Sequence, residues 1–185
     1  MPLNMKLDSL LPPHYQGNLA PDIDPEFAQK IIEHIVTMRA ALKTYLPRYL
    51  VEMISAHPVP GVVSGNFPPG TVLFADVSGF TAMSEQLSVL GKEGAEEITW
   101  IVNSYFNAMI KIAERYGGDL IKFGGDALLV FFGGETGAQR AVTAARVMQL
   151  GLVVFRRVNT SQGTFPLRMK IGLATGPVFF GSLGD

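Results

Sequence analysis

The stretch TVLFADVSGFT at residues 71–81 decides the fold, together with LIKFGGDALLVFF at residues 120–132. Each is a short apolar run that favours a β-strand, and one aspartate interrupts it: Asp76 in the first and Asp126 in the second. A carboxylate in such a run costs free energy unless something compensates its charge. Two carboxylates on paired strands also repel each other, and a divalent cation removes both problems. The two runs therefore predict a metal site built on Asp76 and Asp126.

Composition narrows the function classes before any motif is considered. The chain has 185 residues, which fits one domain with an appendage, and its net charge of −1 gives no electrostatic reason to propose nucleic acid as a partner. It contains no cysteine, which excludes disulfides, thiolate nucleophiles and cysteine-type zinc sites. No apolar run approaches the roughly 20 residues of a membrane span, and the start lacks the order of a signal peptide. We therefore expect a cytoplasmic protein without a membrane span.

The first part of the chain predicts a helical arm. Residues 1–24 have no hydrophobic period and form a lead-in, and Asp24-Pro25 has the pattern of a helix start. Apolar residues then recur at helical spacing as far as Leu46, and Pro47 ends or kinks the helix. We assign residues 1–57 to this lead-in and arm, and the proline- and glycine-rich residues 58–70 to a linker. The arm packs either on the following domain or on another chain, and the sequence leaves both open.

The remaining residues, 71–185, predict one domain with the order β-α-α-β-β-α-β-β. This order is typical of an α/β sandwich (α+β), with helices on one face of a mostly antiparallel sheet. Its last helix is expected over about residues 135–158, followed by the strand LRMKIGLATG and a partner strand that returns after Gly176-Pro177. An unpaired apolar strand at the end is an aggregation risk, so we expect the folding unit to continue past Asp185.

The predicted strands bring the two aspartates to one place. Asp76 ends the first strand and Asp126 lies at the tip of the adjacent hairpin. Between them in sequence, residues 77–81 turn into a helix, with Ser78 and Thr81 as candidate caps, and the free N–H groups of a helix start favour phosphate. Two carboxylates, two metal ions and an anion-binding turn are the equipment of phosphoryl or nucleotidyl transfer. The alternative, in which both aspartates only cap turns, remains open.

Three motifs resemble one family. FADVSGFTAMSEQL (74–87), YGGDLIKFGGDALLVFF (116–132) and LRMKIGLATGPV (167–178) are similar to the class III nucleotidyl cyclase catalytic domain. The similarity is greatest to the bicarbonate-responsive soluble adenylyl cyclase type and its bacterial relatives, and it covers residues 71–185. It implies a ferredoxin-like, palm-type sheet. It also implies an enzyme that converts ATP to cyclic AMP and pyrophosphate with two Mg²⁺ or Mn²⁺.

The resemblance also assigns roles to single positions. Asp76 and Asp126 match the two metal-binding aspartates, and Val77 matches the residue whose backbone carbonyl contacts one ion. The turn that holds the triphosphate corresponds to Gly79, Phe80 and Thr81.

Lys122 matches the position where adenylyl cyclases carry lysine and guanylyl cyclases typically carry glutamate. A lysine can donate to adenine N1 but cannot accept from guanine N1–H, so its presence favours ATP. In the soluble type, the equivalent lysine of one half helps to hold bicarbonate instead. Three roles therefore stay open: adenine reader, bicarbonate sensor, or solvated lysine at a strand edge.

In this family the active site forms between two cyclase domains, so the resemblance implies a homodimer or a pseudo-heterodimer. The family's second adenine-reading residue and its transition-state asparagine and arginine would lie after position 185, so we expect an inactive fragment. Three alternatives remain: a non-catalytic cyclase-homology module for dimerisation, the same module for nucleotide or bicarbonate sensing, and a guanylyl cyclase. A P-loop is excluded because its motif is absent. The diguanylate cyclase signature GGDEF is disfavoured because Ala127 and Leu128 replace its last two residues.

Overall fold

The chain divides into two compact units, residues 1–57 and residues 58–185. The structure, a computed structural model, describes residues 8, 11–16, 23–56 and 63–182. Within these ranges no helix combines the length and the apolar character that crossing a bilayer requires.

Residues 25–56 of the first unit form α1 (Pro25–Lys43) and α2 (Arg48–Ala56). Asp24 caps α1 as predicted, since its carboxylate accepts a hydrogen bond from the Phe27 N–H at 3.0 Å. The predicted break at Pro47 is confirmed, because Pro47 lies between the two helices. His57, the last residue of the predicted arm, lies outside the described residues.

The second unit is a layer of helices on an antiparallel sheet. Its helices are α3 (Phe80–Ser88), α4 (Lys92–Arg115) and α5 (Gly137–Gly151), and a 3₁₀ turn follows at Leu152–Phe155. Its strands are β1 (Ser64–Asn66), β2 (Pro69–Ser78), β3 (Asp119–Gly124), β4 (Ala127–Gly133), β5 (Val158–Thr160), β6 (Gly163–Phe165), β7 (Arg168–Pro177) and β8 (Phe180–Ser182). The main sheet has the strand order β3-β4-β2-β7 with antiparallel neighbours, and β1-β8 and β5-β6 form two small ladders.

Strand β2 is an inner strand of the sheet, and its side chains alternate between the two faces. Leu73, Ala75 and Val77 are buried against the helices, whereas Phe74 on the other face is 46% exposed. The helices complete this core with a set of buried side chains: Met83, Leu87, Ile101, Tyr105, Met109, Ala144 and Met148. The predicted sandwich, with helices on one face of a mostly antiparallel sheet, is confirmed.

The segment predicted as a linker has a different structure where it is described. Residues 58–62 lie outside the described residues, but Ser64–Asn66 form β1 and β2 begins at Pro69. Proline is tolerated there because it is the first residue of the strand. The partner of β1 is β8, with Ser64 opposite Ser182. The prediction that β8 returns along β7 was therefore wrong: the backbone N–H of Val178 donates to the Pro68 carbonyl at 3.0 Å, and the next strand pairs with β1.

The helix predicted over about 135–158 is shorter. It ends at Gly151, and the apolar LVVF that continues its pattern forms the 3₁₀ turn. A hairpin of β5 and β6 follows, with Gly163 at a φ of +122° beside its tip. Val158, the last residue of the predicted helix, is therefore the first residue of β5.

Candidate active site

Asp76 and Asp126 lie at the same end of two adjacent strands. In the register of β2 and β4, Asp76 is directly opposite Ala127, the residue that follows Asp126. Adjacent strands are about 4.8 Å apart, so the two aspartate backbones are close neighbours. The pairing of β2 with β4 ends at this pair, whereas the pairing of β2 with β7 continues to Ser78 opposite Arg168. The backbone after Asp76 therefore has a strand partner on one side only.

The hairpin turn places Asp126 outside the core. Gly124 pairs with Ala127, which leaves Gly125 and Asp126 as a two-residue turn, and Gly125 has a φ of +69°. Glycine with positive φ at the first of two turn residues is typical of a type II′ hairpin. Asp126 is exposed and Asp76 is half-buried. Asp126 therefore lies at the tip of the hairpin as predicted, and it is not buried among the apolar residues of the strands.

Neither carboxylate has a partner within the segments that the structure describes. There, the side-chain carboxylates of Asp76 and Asp126 accept no hydrogen bond and form no ion pair. The same segments contain no cluster of three or more histidine or acidic residues that could hold a metal ion. Magnesium sites commonly use one or two carboxylates and complete their coordination with water and substrate phosphates. The two unpaired aspartates therefore fit such an ion.

Tyr105 lies behind the two carboxylates, and the sequence did not single it out for this place. Its side chain is 1% exposed, and its hydroxyl donates to the Met169 Sδ at 3.3 Å. Burial raises the pKa of Tyr105, and the negative charges of Asp76 and Asp126 raise this pKa further. One hydroxyl thus lies within electrostatic reach of both aspartates. The available signal was a tyrosine in the apolar stripe of α4.

The turn before α3 has no side-chain cap. Gly79 is the N-cap residue with a φ of +111°, and no side chain accepts from the first turn of the helix. The prediction of Ser78 and Thr81 as caps was therefore wrong. The first N–H groups of α3 remain available to an anion, as at other helix starts. A β-carbon at Gly79 would lie 2.5 Å from the Pro166 carbonyl oxygen, so this position has no room for a side chain.

The other predicted turn residues differ in what they expose. The Phe80 side chain is 6% exposed and packs edge-on against Tyr105, with ring centroids 5.3 Å apart. Only the backbone of Phe80 can therefore serve a ligand at the turn. Thr81 is exposed, and the Val77 side chain is buried, which likewise leaves its backbone as the group available to the site.

Lys122 lies on the same face of the sheet as Asp76 but not beside it. It is opposite Leu129 on β4, and Leu129 is opposite Phe74 on β2. Directly opposed residues share a face, so Lys122, Phe74 and Asp76 all lie on the face away from the helices. Two strand spacings, about 10 Å, separate Lys122 from β2. The structure therefore brings the aspartates and the turn together and leaves the exposed Lys122 apart.

The family described as the Adenylate and Guanylate cyclase catalytic domain matches residues 62–185 of the chain. This chain belongs to the class III nucleotidyl cyclases. The matched range contains both aspartates, the turn before α3 and Lys122.

Individual relatives agree with this membership. The cyclase domain is 34% identical to rabbit (Oryctolagus cuniculus) adenylate cyclase type 10 over 145 residues, which are 71% of this chain and 9% of that protein. The crystal structure of the adenylyl cyclase CyaB from P. aeruginosa is 35% identical with a TM-score of 0.54, covering 67% of this chain and 63% of that one. A bacterial light-regulated adenylyl cyclase has a TM-score of 0.64 at 24% identity, covering 91% of this chain and 46% of that one, and it supports the fold alone. The chain thus spans a small part of rabbit type 10 and less than two thirds of each solved structure.

Proposed function

We propose that this cyclase domain binds metal and triphosphate in an adenylyl cyclase that converts ATP to cyclic AMP and pyrophosphate. One observation carries the proposal: the carboxylates of the adjacent Asp76 and Asp126 have no hydrogen-bond or ion-pair partner among the described residues, and they lie beside a helix start that has no side-chain cap. Membership of the family supports it.

The residues at this end of the sheet have separate roles in the proposal. Asp76, Asp126 and the Val77 carbonyl hold two Mg²⁺ or Mn²⁺. When bound, these ions supply Lewis-acid chemistry, which acidifies the ribose 3′-hydroxyl and offsets the charge of the phosphates. The backbone N–H groups of Phe80 and Thr81 donate to the triphosphate. Gly79 lets the chain enter α3 with a positive φ beside Pro166, where no side chain fits.

The reaction that this arrangement serves is an internal displacement. The ribose 3′-oxygen forms a bond to the α-phosphorus, and its proton passes to water. The bond from the α-phosphorus to the oxygen that bridges to the β-phosphate breaks, and pyrophosphate leaves with that oxygen. The turn and the aspartates hold the phosphates in line for this step, which is the main contribution of a protein to phosphoryl transfer.

We assign recognition of the nucleotide's adenine ring to Lys122. Its ammonium group can donate hydrogen bonds but cannot accept them, which favours ATP. Lys122 lies two strand spacings from β2, the strand that carries Asp76. This separation supports a dimer in which Lys122 of one domain recognises the nucleotide held by the aspartates of the other domain. The second domain is another copy or a related cyclase domain. Bicarbonate binding is the other role proposed for Lys122. We place the protein in the cytoplasm, in keeping with the absence of cysteine.

Calorimetric titration of ATP into the full chain, with and without Mn²⁺, tests the proposal. We expect binding only with the metal, and a loss of about tenfold or more in Asp76→Asn and in Asp126→Asn, because each removes one charged ligand. Glu135→Gln is the matched control, since it removes an exposed carboxylate just beyond the opposite end of β4. Binding that ignores the metal, or that survives the double variant, would instead support a non-catalytic module.

A further inference from the structure

The β5-β6 hairpin is joined to α4 at its tip. The carboxylate of Glu97 accepts the backbone N–H of Ser161 at 3.1 Å through Oε1 and the Ser161 hydroxyl at 2.6 Å through Oε2. Hydrogen bonds to a charged acceptor are stronger than those between neutral groups. Glu97 therefore fixes the position of the hairpin tip on the helix layer.

The hairpin itself is held by its own side chains. The hydroxyl of Thr160 donates to the Gly163 carbonyl at 2.9 Å and accepts from the Gln162 N–H at 3.2 Å. The hydroxyl of Thr164 donates to the Asn159 Oδ1 at 2.9 Å. These contacts link both strands and the turn, so a displacement at the tip moves the hairpin as one piece.

The chain leaving the hairpin contacts the turn before α3. Leu167 is buried, and its N–H donates to the Phe155 carbonyl at 3.2 Å. A β-carbon placed at Gly79 would lie 2.5 Å from the Pro166 carbonyl oxygen and 3.2 Å from the Leu167 Cδ2. The segment at Pro166 and Leu167 is therefore a backbone wall against Gly79.

We propose that the β5-β6 hairpin positions the turn at residues 79–81 for the triphosphate, and that Glu97 and Ser161 are positioning residues for that turn. They act through the Pro166–Leu167 wall and do not touch the ligand. This inference rests on the proposed function, because it concerns the same triphosphate. Loss of the link lets the wall move away from Gly79, and the N–H groups of the turn then lose their alignment with the phosphates.

A role limited to stability makes a different prediction. It lowers the affinity for metal and for triphosphate only through unfolding, so both fall together. A positioning role lowers triphosphate affinity and leaves metal affinity unchanged, because Asp76 and Asp126 lie on β2 and its hairpin neighbour rather than on the turn.

The experiment measures the two affinities separately on the full chain. Binding of Mn²⁺ alone is followed by electron paramagnetic resonance, and binding of inorganic tripolyphosphate at saturating Mn²⁺ by calorimetry. For Glu97→Ala we expect unchanged Mn²⁺ affinity and triphosphate affinity lower by about fivefold, the lower end for coupling between separated sites. Ser161→Thr keeps the hydroxyl and the N–H and should bind as wild type does. Glu96→Ala is the control, since the one ion-pair partner of its exposed carboxylate among the described residues is Lys92, at 3.6 Å.

The outcomes distinguish failure of the positioning role from failure of the proposed function on which it rests. If wild type does not bind tripolyphosphate with Mn²⁺, the proposed function fails. If wild type binds and folded Glu97→Ala binds equally well, or loses Mn²⁺ affinity in parallel, the positioning role is refuted. If Glu97→Ala does not fold, Glu97→Gln is measured in the same way, because its amide oxygen can accept only part of what the carboxylate accepts. A selective loss of triphosphate affinity in Glu97→Gln supports the role, and wild-type affinity refutes it.

Discussion

Gly79→Ala should destabilise the domain because Gly79 meets two requirements that alanine cannot. Its φ of +111° costs a non-glycine residue about 1–3 kcal/mol. Its β-carbon would also lie 2.5 Å from the Pro166 carbonyl oxygen, closer than packed atoms approach, so that the backbone at Pro166 must shift. Overpacking of this kind costs about 1–3 kcal/mol more. The expected fall in the free energy of unfolding is therefore about 2–6 kcal/mol.

Gly163→Ala is the matched control for the cost of overpacking against Pro166. Gly163 has a similar φ of +122°, but a β-carbon there would meet no atom within 4 Å. It should lose only the backbone cost, about 1–3 kcal/mol. Urea unfolding followed by circular dichroism gives both free energies, and equal slopes against urea show that the denatured states are comparable. The difference between the two variants then measures the contact between Gly79 and Pro166.

Equal losses in the two variants, within about 0.5 kcal/mol, would refute this reasoning, because that difference is within the error of independent measurements. So would a Gly79→Ala variant that is as stable as wild type. Either result would mean that the wall at Pro166 yields without cost, and it would also weaken the proposed route from the hairpin to the turn.

Three further predictions address other residues. Lys122→Glu should shift nucleotide preference from ATP towards GTP, measured by competition between the two nucleotides, because a carboxylate accepts where an ammonium group donates. Tyr105 has a pKa raised above that of the unfolded chain, so its contribution to stability is complete below about pH 10 and is lost as the pH rises further. Tyr105→Phe should therefore fall less steeply than wild type in unfolding free energy between about pH 10 and pH 12, and an identical slope would contradict the assignment. Arg140→Ala should cost about 1–3 kcal/mol in urea unfolding, because the guanidinium donates to the carbonyls of Tyr116, Gly117 and Gly133. The variant's metal and triphosphate binding should not change, since Ala127 begins β4 beside the candidate site and Gly133 is at the other end of that strand.

The parts of the fold that were predicted correctly depend on local patterns. Strand β2 and the β3-β4 hairpin combine apolar runs with a glycine turn, and α4 has a helical stripe of apolar residues. The small ladders were missed because strands of three residues have no measurable period. The pairing of β1 with β8 joins residues more than 100 positions apart, and no local pattern specifies such a partner.

The candidate site likewise combines residues that local sequence identifies with residues whose roles depend on packing. Asp76 and Asp126 could be identified because a carboxylate among apolar residues costs free energy unless its charge is compensated. Tyr105, Pro166 and Glu97 have ordinary local sequences, and the contacts of Tyr105 with Phe80, of Pro166 near Gly79 and of Glu97 with Ser161 form only when α4 and the second hairpin pack. The absence of a side-chain cap at Gly79 likewise depends on φ, which the sequence does not give.

The pairing of β1 with β8 also determines how the second unit responds to tension. Ser64 is opposite Ser182, and the next matched positions in the same direction are Gly65 with Gly181 and, farther along, Pro69 with Pro177. A pull on the chain before Ser64 and after Ser182 therefore acts on the same end of this ladder. It separates the hydrogen-bonded pairs one after another, and does not shear them all at once. The last pair in that sequence is Ser78 with Arg168, beside the candidate active site, so the end of the sheet that carries Asp76 and Asp126 is the most distant from the applied force.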